Sequence, residues 1–558
     1  MKLTKKVTFL MLLSCFFTLL SSVFQTFNIH LSAQVLNGAE QGSLELVFRA
    51  LIINAAAYLL YFPLCALAHV MRIAFLTNGT TDLRDKIMKN ILARPLQLFR
   101  KHDDAYYLNL LGADMDLYRS NWLFNIPLII SGVGNVLFAT FMLYRVHPWI
   151  CVIGVLLSFI PLLTSNLFTK KTQACRQKVS QTAQEYSNVL KEDIEGCETI
   201  RMARGISPAL KRFHIFGYKK DKAQRNSSVI NYFSVLALWA SAGVSNIICL
   251  GVGGYLAVQG LISISMLYAA LNYVTILSNE FSNLMEYVID FRASKPLVEK
   301  LKSETEVPCP ADGGLVPAAD RALVYEAVTF GFGDRKLYED LSCSFAPGGC
   351  YAILGESGSG KSTLTKLLLK YYDDYEGTIT LAGQDIRTLS EDEIYRVVGL
   401  VNQSPFLFNA SLYDNITMFT NDPPKESDEY QKLLADLNLT ALAQRVGDTP
   451  LGDFGDNISG GERQRINIAR TLRSHPSILI FDEPTTGLDP ENVALIDQFI
   501  FNRTDTTRIV ITHNWKDDYL SRFDSVLRIG EKAPAEKEAD SAALKNYCKY
   551  DKCDGRAL

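Results

Sequence analysis

The sequence predicts two domains of different class: an all-α transmembrane domain of six helices, followed by an α/β domain with a P-loop. Long uncharged apolar runs fill the chain up to about Asp290, and a strand, a glycine-rich loop and a helix follow one another from Cys350 onward. At 558 residues the chain is too long for one ordinary domain. Its net charge of −3 gives no indication of a nucleic-acid partner.

Six apolar segments are long enough to cross a bilayer, whose hydrocarbon core takes about 20 residues of helix. Asn226–Asn279 contains no charged residue and is long enough for two of them, with a tight hairpin at Gly251–Gly260. The first segment follows three lysines but is longer than the apolar part of a signal peptide, so we expect a retained helix. The remaining four spans are Val7–Ala33, Ala50–Met71, Trp122–Tyr144 and Pro148–Phe168.

The basic residues of the connections indicate the orientation, because Lys and Arg concentrate on the cytoplasmic side. The connection between the second and third spans is basic, and the one from Lys170 to Arg225 is richer still. By contrast, His30–Leu46 and the hairpin near Gly260 contain neither Lys nor Arg. We therefore predict a multi-pass protein of the cell membrane, with both termini and the second domain in the cytoplasm.

A phosphate-binding loop is predicted at Gly355–Thr363, which reads GESGSGKST. A buried strand precedes it and a helix follows, as a P-loop requires. Glycines let successive backbone N–H groups converge on phosphate oxygens, and the helix N-terminus adds its dipole. We expect Lys361 to reach the β- and γ-phosphates and Ser362 to hold Mg²⁺. The ATP-binding residues predicted here are Gly355, Ser357, Gly358, Ser359, Gly360, Lys361, Ser362 and Thr363.

Two carboxylates end an apolar strand in Ser477–Asp489, which reads SILIFDEPTTGLD. The end of a strand beside a P-loop is where Mg²⁺ and the attacking water lie. We therefore assign Asp482 to the metal and Glu483 to polarising the water as general base. His513 follows a further β-branched strand, Arg508–Thr512, and is a candidate contact to the γ-phosphate.

These motifs and their order resemble the half-size ABC exporters, in which a six-helix membrane domain precedes one ATPase domain. Leu323–Gly530 resembles the nucleotide-binding domain of that family, and ISGGE at Ile458–Glu462 resembles its signature sequence, with glutamate where glutamine is common. Thr449–Asn457 resembles the exporter X-loop. The resemblance implies further nucleotide contacts from Phe332, Gln403, Ser459, Gly460, Gly461, Glu462 and Asp489.

Three of these positions take specific roles from the resemblance. Gln403 matches the Q-loop, which implies both a catalytic and a Mg²⁺-binding role, so that the predicted metal ligands are Ser362, Gln403 and Asp482. Phe332 is placed where an aromatic ring stacks on adenine, and Asp489 belongs to the D-loop. The cofactors implied are ATP and Mg²⁺.

The resemblance also implies a partner. In this family the signature residues begin a helix far from their own P-loop, and they offer N–H groups to ATP held by a second domain. One ATPase domain and six helices therefore imply a dimer with a second half-transporter, identical or different. Motion is expected to pass through two cytoplasmic turns, near Asp103–Asp116 and Glu195–Arg204.

The predicted domain limits follow from these assignments. Residues 1–302 form the transmembrane domain, 303–321 a linker rich in Pro, Gly and Ala, 322–534 the ABC nucleotide-binding domain, and 535–558 a C-terminal tail. The predicted function is an ATP-driven transporter subunit that exports its substrate by alternating access. Two alternatives stay open: uptake on the exporter fold, for instance of a metal chelate, and an ATP-gated channel or regulator without net pumping.

Some residues depart from the exporter pattern or suggest a substrate contact. PTTGLD follows the catalytic glutamate, and Asn514 replaces the usual arginine after His513, as in importer ATPase domains. Glu280 follows the sixth apolar span, where a carboxylate is costly and often functional, although cytosolic water could also reach it. Three asparagines in the spans are typical of helix–helix hydrogen bonds, namely Asn54, Asn135 and Asn246.

Overall fold

The computed structural model describes residues 4–306, 322–333, 335–356, 358–452, 455–530 and 550–551. The chain forms two compact units, a helical unit (Met1–Leu92 and Asp103–Val307) and an α/β unit (Ala93–His102 and Pro308–Leu558). The predicted domain limits stay a prediction, because most of the linker (307–321) and most of the tail lie outside the described residues.

Long helices dominate the helical unit, and several continue beyond a bilayer thickness. A 49-residue helix is about 70 Å long, more than twice the hydrocarbon core. One helix, Asp104–Val146, contains two π-helical stretches near its start. The helices are α1 (Lys5–Glu40), α2 (Leu44–Leu92), α4 (Asp104–Val146), α5 (Pro148–Glu195), α6 (Cys197–Met202), α7 (Ile206–Val258), α8 (Ile264–Ala293) and α9 (Lys295–Thr305).

Four helices of the described part, α1, α2, α4 and α7, are long and apolar enough to cross a membrane by length and composition. α5 carries a shorter apolar stretch, Pro148–Pro161. Large apolar side chains of this unit face outward, for example Leu59 and Ile247, which are 75% and 71% exposed. Such extensive apolar exposure fits a lipid-facing surface. The other two of the six predicted crossings, those of α5 and α8, stay a prediction.

The three asparagines expected to join helices do so. Asn54 donates to the Ser32 hydroxyl across 3.1 Å, and Asn246 accepts from Thr275 across 3.2 Å. Asn135 accepts from Thr26 on α1 and donates to a Glu280 carboxylate oxygen on α8, at 2.5 and 2.8 Å. The prediction is therefore confirmed, and Glu280 takes part in the same chain of hydrogen bonds.

Two sheets build the α/β unit. The first is antiparallel in the order β2-β1-β4-β5, and the second has the order β10-β9-β3-β8-β7-β6, with parallel pairing throughout except between β10 and β9. The strands are β1 (Leu323–Phe332), β2 (Arg335–Phe345), β3 (Cys350–Gly355), β4 (Glu376–Leu381), β5 (Gln384–Asp385), β6 (Val398–Val401), β7 (Ile478–Asp482), β8 (Thr507–Ile511), β9 (Ser525–Ile529) and β10 (Tyr550–Asp551).

Short helices complete this unit, and its two apolar cores lie against the parallel sheet. β3 and β8 are buried along their whole length, as central parallel strands are. The ligand-binding edge of such a sheet is where the strands end. The helices are α3 (Leu96–Phe99), α10 (Lys361–Leu368), α11 (Glu391–Val397), α12 (Leu412–Thr417), α13 (Asp428–Asp436), α14 (Thr440–Val446), α15 (Gly460–Leu472), α16 (Pro490–Asn502) and α17 (Asp517–Leu520).

The first predicted coupling turn falls on a helix start in the structure. Asp103–Asp116 begins α4 in the helical unit, because Asp103 caps that helix by accepting the Tyr106 N–H at 3.0 Å. The segment that packs in the α/β unit is the preceding one, residues 93–102, where the Leu96 N–H donates to Glu391 at 2.9 Å. The second predicted turn does form a short helix, α6, and none of its side chains is buried.

Candidate nucleotide site

The predicted phosphate loop connects β3 to α10. Gly358 and Gly360 adopt backbone φ values of 79° and 103°, which residues other than glycine rarely adopt. Gly360 precedes α10, and no side chain caps that helix. The helix N-terminus therefore keeps N–H groups available for an anion. Ser357 lies outside the described residues.

The fit to a phosphate group rests on two side chains of the loop. The Ser359 hydroxyl is buried without a hydrogen-bond partner in the described part of the chain. The Lys361 ammonium donates to the carbonyl oxygens of Gly355 and Glu356, at 3.0 and 2.9 Å. Burial lowers the pKa of Lys361, because a desolvated cation is less stable. An anion in the loop would bond to the Ser359 hydroxyl and to the remaining N–H of the Lys361 ammonium.

The predicted metal-side carboxylate ends β7 next to the phosphate loop. Asp482 accepts a hydrogen bond from the Ser362 hydroxyl across 3.1 Å. Burial raises the pKa of Asp482, although the Ser362 bond opposes the shift. A hydroxyl and a carboxylate at this distance are the oxygen donors that Mg²⁺ prefers.

Both oxygens of Glu483 are engaged. His513 Nε2 lies 2.5 Å from one oxygen, and the Gln403 amide donates to the other across 2.8 Å. Thr486 also donates to the second oxygen, at 3.3 Å. Glu483 adopts φ of 49°, an uncommon conformation for a residue with a side chain. The fold thus brings the three predicted catalytic residues Glu483, His513 and Gln403 into direct contact.

The predicted adenine contact is an exposed aromatic ring. Phe332 ends β1, is 50% exposed, and meets Tyr372 edge-on with ring centroids 5.4 Å apart. Tyr338, which the sequence did not single out, donates its hydroxyl hydrogen to the Gly360 carbonyl oxygen. Tyr338 thus holds the loop backbone at Gly360, a contact between distant stretches that only the fold shows.

The signature residues form the N-terminus of α15, and their side chains cap it. The Ser459 hydroxyl accepts from the Glu462 N–H at 3.3 Å, while Glu462 accepts from the Ser459 N–H at 2.8 Å. This capping box satisfies two backbone donors. Within the described residues, no hydrogen bond or ion pair joins the signature residues to the phosphate loop.

One link connects the signature helix to the D-loop. Asp489 caps α16 by accepting from the Asn492 N–H at 2.9 Å, and the Asn492 side-chain oxygen accepts from Arg465 of α15. A side chain on Gly461 would place its Cβ 2.5 Å from the Asn492 side chain, which would then have to leave its place beside Arg465. Asn492 and Arg465 were missed in the sequence, where only the nearby motif gave a signal.

Comparison with known proteins agrees with this geometry. A family model for the ABC transporter transmembrane region matches residues 9–281, and the family model described as ABC transporter matches residues 338–486. A bacterial Atm1-family ABC exporter solved with ATP bound superposes with a TM-score of 0.77 at 21% identity, over 94% of each chain. That likeness shows the fold.

Two curated relatives are similar in sequence over part of their length. The mitochondrial ATP-dependent permease MDL2 of Saccharomyces cerevisiae is 28% identical over 434 residues, 74% of this chain and 55% of that protein. The mycobactin import ATP-binding/permease protein IrtB of Mycolicibacterium smegmatis is 30% identical over 274 residues, 48% of this chain and 47% of that protein. The chain thus matches about half the length of these relatives.

The fold and the site define a membrane-spanning protein with a P-loop domain that binds ATP. Since the two family models follow one another in a single chain, the protein belongs to the ABC transporter family, with the layout of a half-size exporter.

Proposed function

We propose that the chain hydrolyses ATP to drive transport across a membrane, and that it exports its substrate. The observation that carries the proposal is that a phosphate loop, the half-buried Asp482 carboxylate and a Glu–His–Gln cluster lie together at one edge of the parallel sheet. Groups that hold a phosphate and groups that orient water are then adjacent, as phosphoryl transfer to water requires.

The proposed chemistry assigns one role to each group. Lys361 and the N–H groups of the loop hold the phosphates, and Phe332 stacks on the base. Glu483 accepts a proton from the attacking water, and His513 and Gln403 hold its carboxylate in position. Mg²⁺ would be held by Ser362 and Asp482, with Gln403 as a further oxygen donor, and it would neutralise phosphate charge.

We propose that two identical copies form the working dimer. The signature residues make no hydrogen bond or ion pair with the loop of their own chain in the described part, and their helix N-terminus is suited to an anion. This chain carries a complete P-loop half and a signature half, so two copies would complete two sites. Co-purification of two differently tagged copies would support this proposal. Co-purification with a different protein in place of the second copy would contradict it.

Coupling to the membrane is proposed to use both cytoplasmic turns. Residues 93–102 connect α2 to α4 and belong to the α/β unit, where Arg100 lies 4.6 Å from the Tyr371 ring. The other turn, α6, exposes Met202 to 83%. An exposed apolar side chain at a helix turn is suited to docking, and we propose the ATPase domain of the second copy as its site.

Uptake is the second candidate, because several relatives are named as mycobactin import proteins, one of them 40% identical over 197 residues. Inside-out vesicles separate the two directions. An exporter accumulates substrate in the lumen on adding ATP, and an importer depletes it. The Glu483→Gln variant must abolish either movement; transport at the wild-type rate in that variant would contradict pumping by hydrolysis.

A further inference from the structure

The signature helix α15 carries a negative charge, Glu462, near its N-terminus, and neighbouring groups stabilise it. Glu462 lies in the first turn of α15, and its side chain is only 15% exposed. Burial favours the neutral acid, but hydrogen bonds from Ser459 and Arg445 outweigh it and lower the pKa of Glu462. The carboxylate is therefore ionised at neutral pH, close to the helix end that we propose meets the phosphates of a second ATP.

The helix end keeps a limited set of donors for that ATP. The Glu462 N–H is taken by the Ser459 hydroxyl, and the Arg463 N–H by the Ser459 carbonyl oxygen. The N–H groups of Gly460 and Gly461 have no acceptor in the described part of the chain. Since the Glu462 carboxylate is bonded to Ser459 and Arg445, it does not occupy these two donors.

A single cation holds that side chain in place from another helix. The Arg445 guanidinium, in the last turn of α14, donates to Glu462 Oε1 across 2.9 Å. The second oxygen, Oε2, accepts from the N–H and the hydroxyl of Ser459, at 2.8 and 2.9 Å. Arg445 thus neutralises the carboxylate on the side opposite the helix cap.

We propose that Arg445 is a positioning residue for ATP at the signature end, acting through Glu462. It cancels the charge that glutamate introduces there and keeps the carboxylate on the cap, so that the glycine N–H groups face the γ-phosphate. The inference rests on the proposed sharing of ATP between two copies. It explains why a carboxylate is tolerated beside a triphosphate, where like charges repel.

A double-mutant cycle on the full chain in lipid nanodiscs tests this role. Arg445→Ala should raise the KM for ATP about fivefold, the upper range for an exposed ion pair, with little change in kcat. In the Glu462→Gln background the same substitution should change KM less than about twofold, because no charge is left to neutralise. Arg445→Lys should restore much of the wild-type KM.

A matched control is the exposed ion pair of Lys425 with Asp448, whose acid follows α14 by two residues and which lies outside the signature helix α15. Lys425→Ala should leave the KM for ATP unchanged. An equal rise for Arg445→Ala in both backgrounds would indicate a structural role and overturn the proposal, as would no rise at all or an equal effect of Lys425→Ala. If the wild-type chain hydrolyses no ATP, the proposed function fails first.

Discussion

Two helices of the α/β unit have glycine at or next to the N-terminus that we propose faces a phosphate, yet their N-termini carry different caps and charges. α10 follows Gly360 with no side-chain cap, and it brings its own cation, Lys361. α15 is closed by a capping box and brings an acid, Glu462, balanced by Arg445 from another helix. One end is cationic and open, and the other is neutralised and capped.

The difference indicates which end binds first. An open terminus with a lysine attracts a triphosphate by charge and by unpaired donors. A capped terminus with a balanced charge has no cation of its own to attract the phosphates, and it has little affinity until the nucleotide is already held elsewhere. We therefore expect ATP to load on the P-loop and the signature end to join it afterwards, which makes dimer closure depend on nucleotide.

The largest effect is expected from a substitution that removes the general base and leaves both helix N-termini intact. Glu483→Gln should lower the rate of ATP hydrolysis by about 10²–10⁴-fold, because the general base is lost, while ATP binding persists. Hydrolysis by the reconstituted chain and binding of a labelled ATP measure the two quantities. Glu491→Gln, at an exposed position of α16, is the control and should hydrolyse normally.

A substitution at the N-terminus of α10 should weaken ATP binding itself. Lys361→Ala deletes the cation of the P-loop and should weaken ATP binding by about 10- to 100-fold, the range for a charge-assisted hydrogen bond. Equilibrium binding of labelled ATP is the readout, and Lys432→Ala on the exposed face of α13 is the control. Unchanged affinity in Lys361→Ala would show that the loop does not hold the phosphates.

A substitution at the N-terminus of α15 should leave binding to the P-loop nearly unchanged. Ser459→Ala removes the N-cap of α15 and should raise the KM for ATP hydrolysis about tenfold, because the signature end engages the nucleotide less well, while equilibrium binding of ATP to the P-loop stays within about twofold. Ser459→Thr keeps a capping hydroxyl and should retain most of the activity. A collapse of ATP binding in Ser459→Ala would mean that both ends serve the same nucleotide from the start.

The smallest expected effect concerns the base rather than the phosphates. Phe332→Ala should raise the KM for ATP about fivefold, because one aromatic stacking contact is lost, and Phe332→Tyr should not. GTP should compete with ATP for this site, because an aromatic ring stacks on either base and both nucleotides share the phosphate contacts. Equal KM values for Phe332→Ala and the wild type would remove Phe332 from the site.

The local motifs were the part of the site that the sequence could reveal. The P-loop and the carboxylates after β7 each lie within a short stretch, so their spacing alone indicates a role. Contacts between distant stretches could not be found that way: Arg445 meets Glu462 from another helix, and Asn492 joins the D-loop to Arg465. That Asp103 caps α4 could not be predicted either, because an aspartate is as common in a loop as at a helix N-terminus.

The central claim is that each ATP is shared between two chains, and mixed dimers test it most directly. Two differently tagged copies are purified together in two arrangements. In the first, one copy carries Lys361→Ala and the other Ser459→Glu. In the second, one copy carries both substitutions and the other is wild type.

Sharing predicts one intact site in the first arrangement and none in the second, so the first should hydrolyse ATP faster. If each chain used its own Lys361 and Ser459 on one nucleotide, the order would reverse. Faster hydrolysis by the second arrangement, or equal rates in both, would contradict the account.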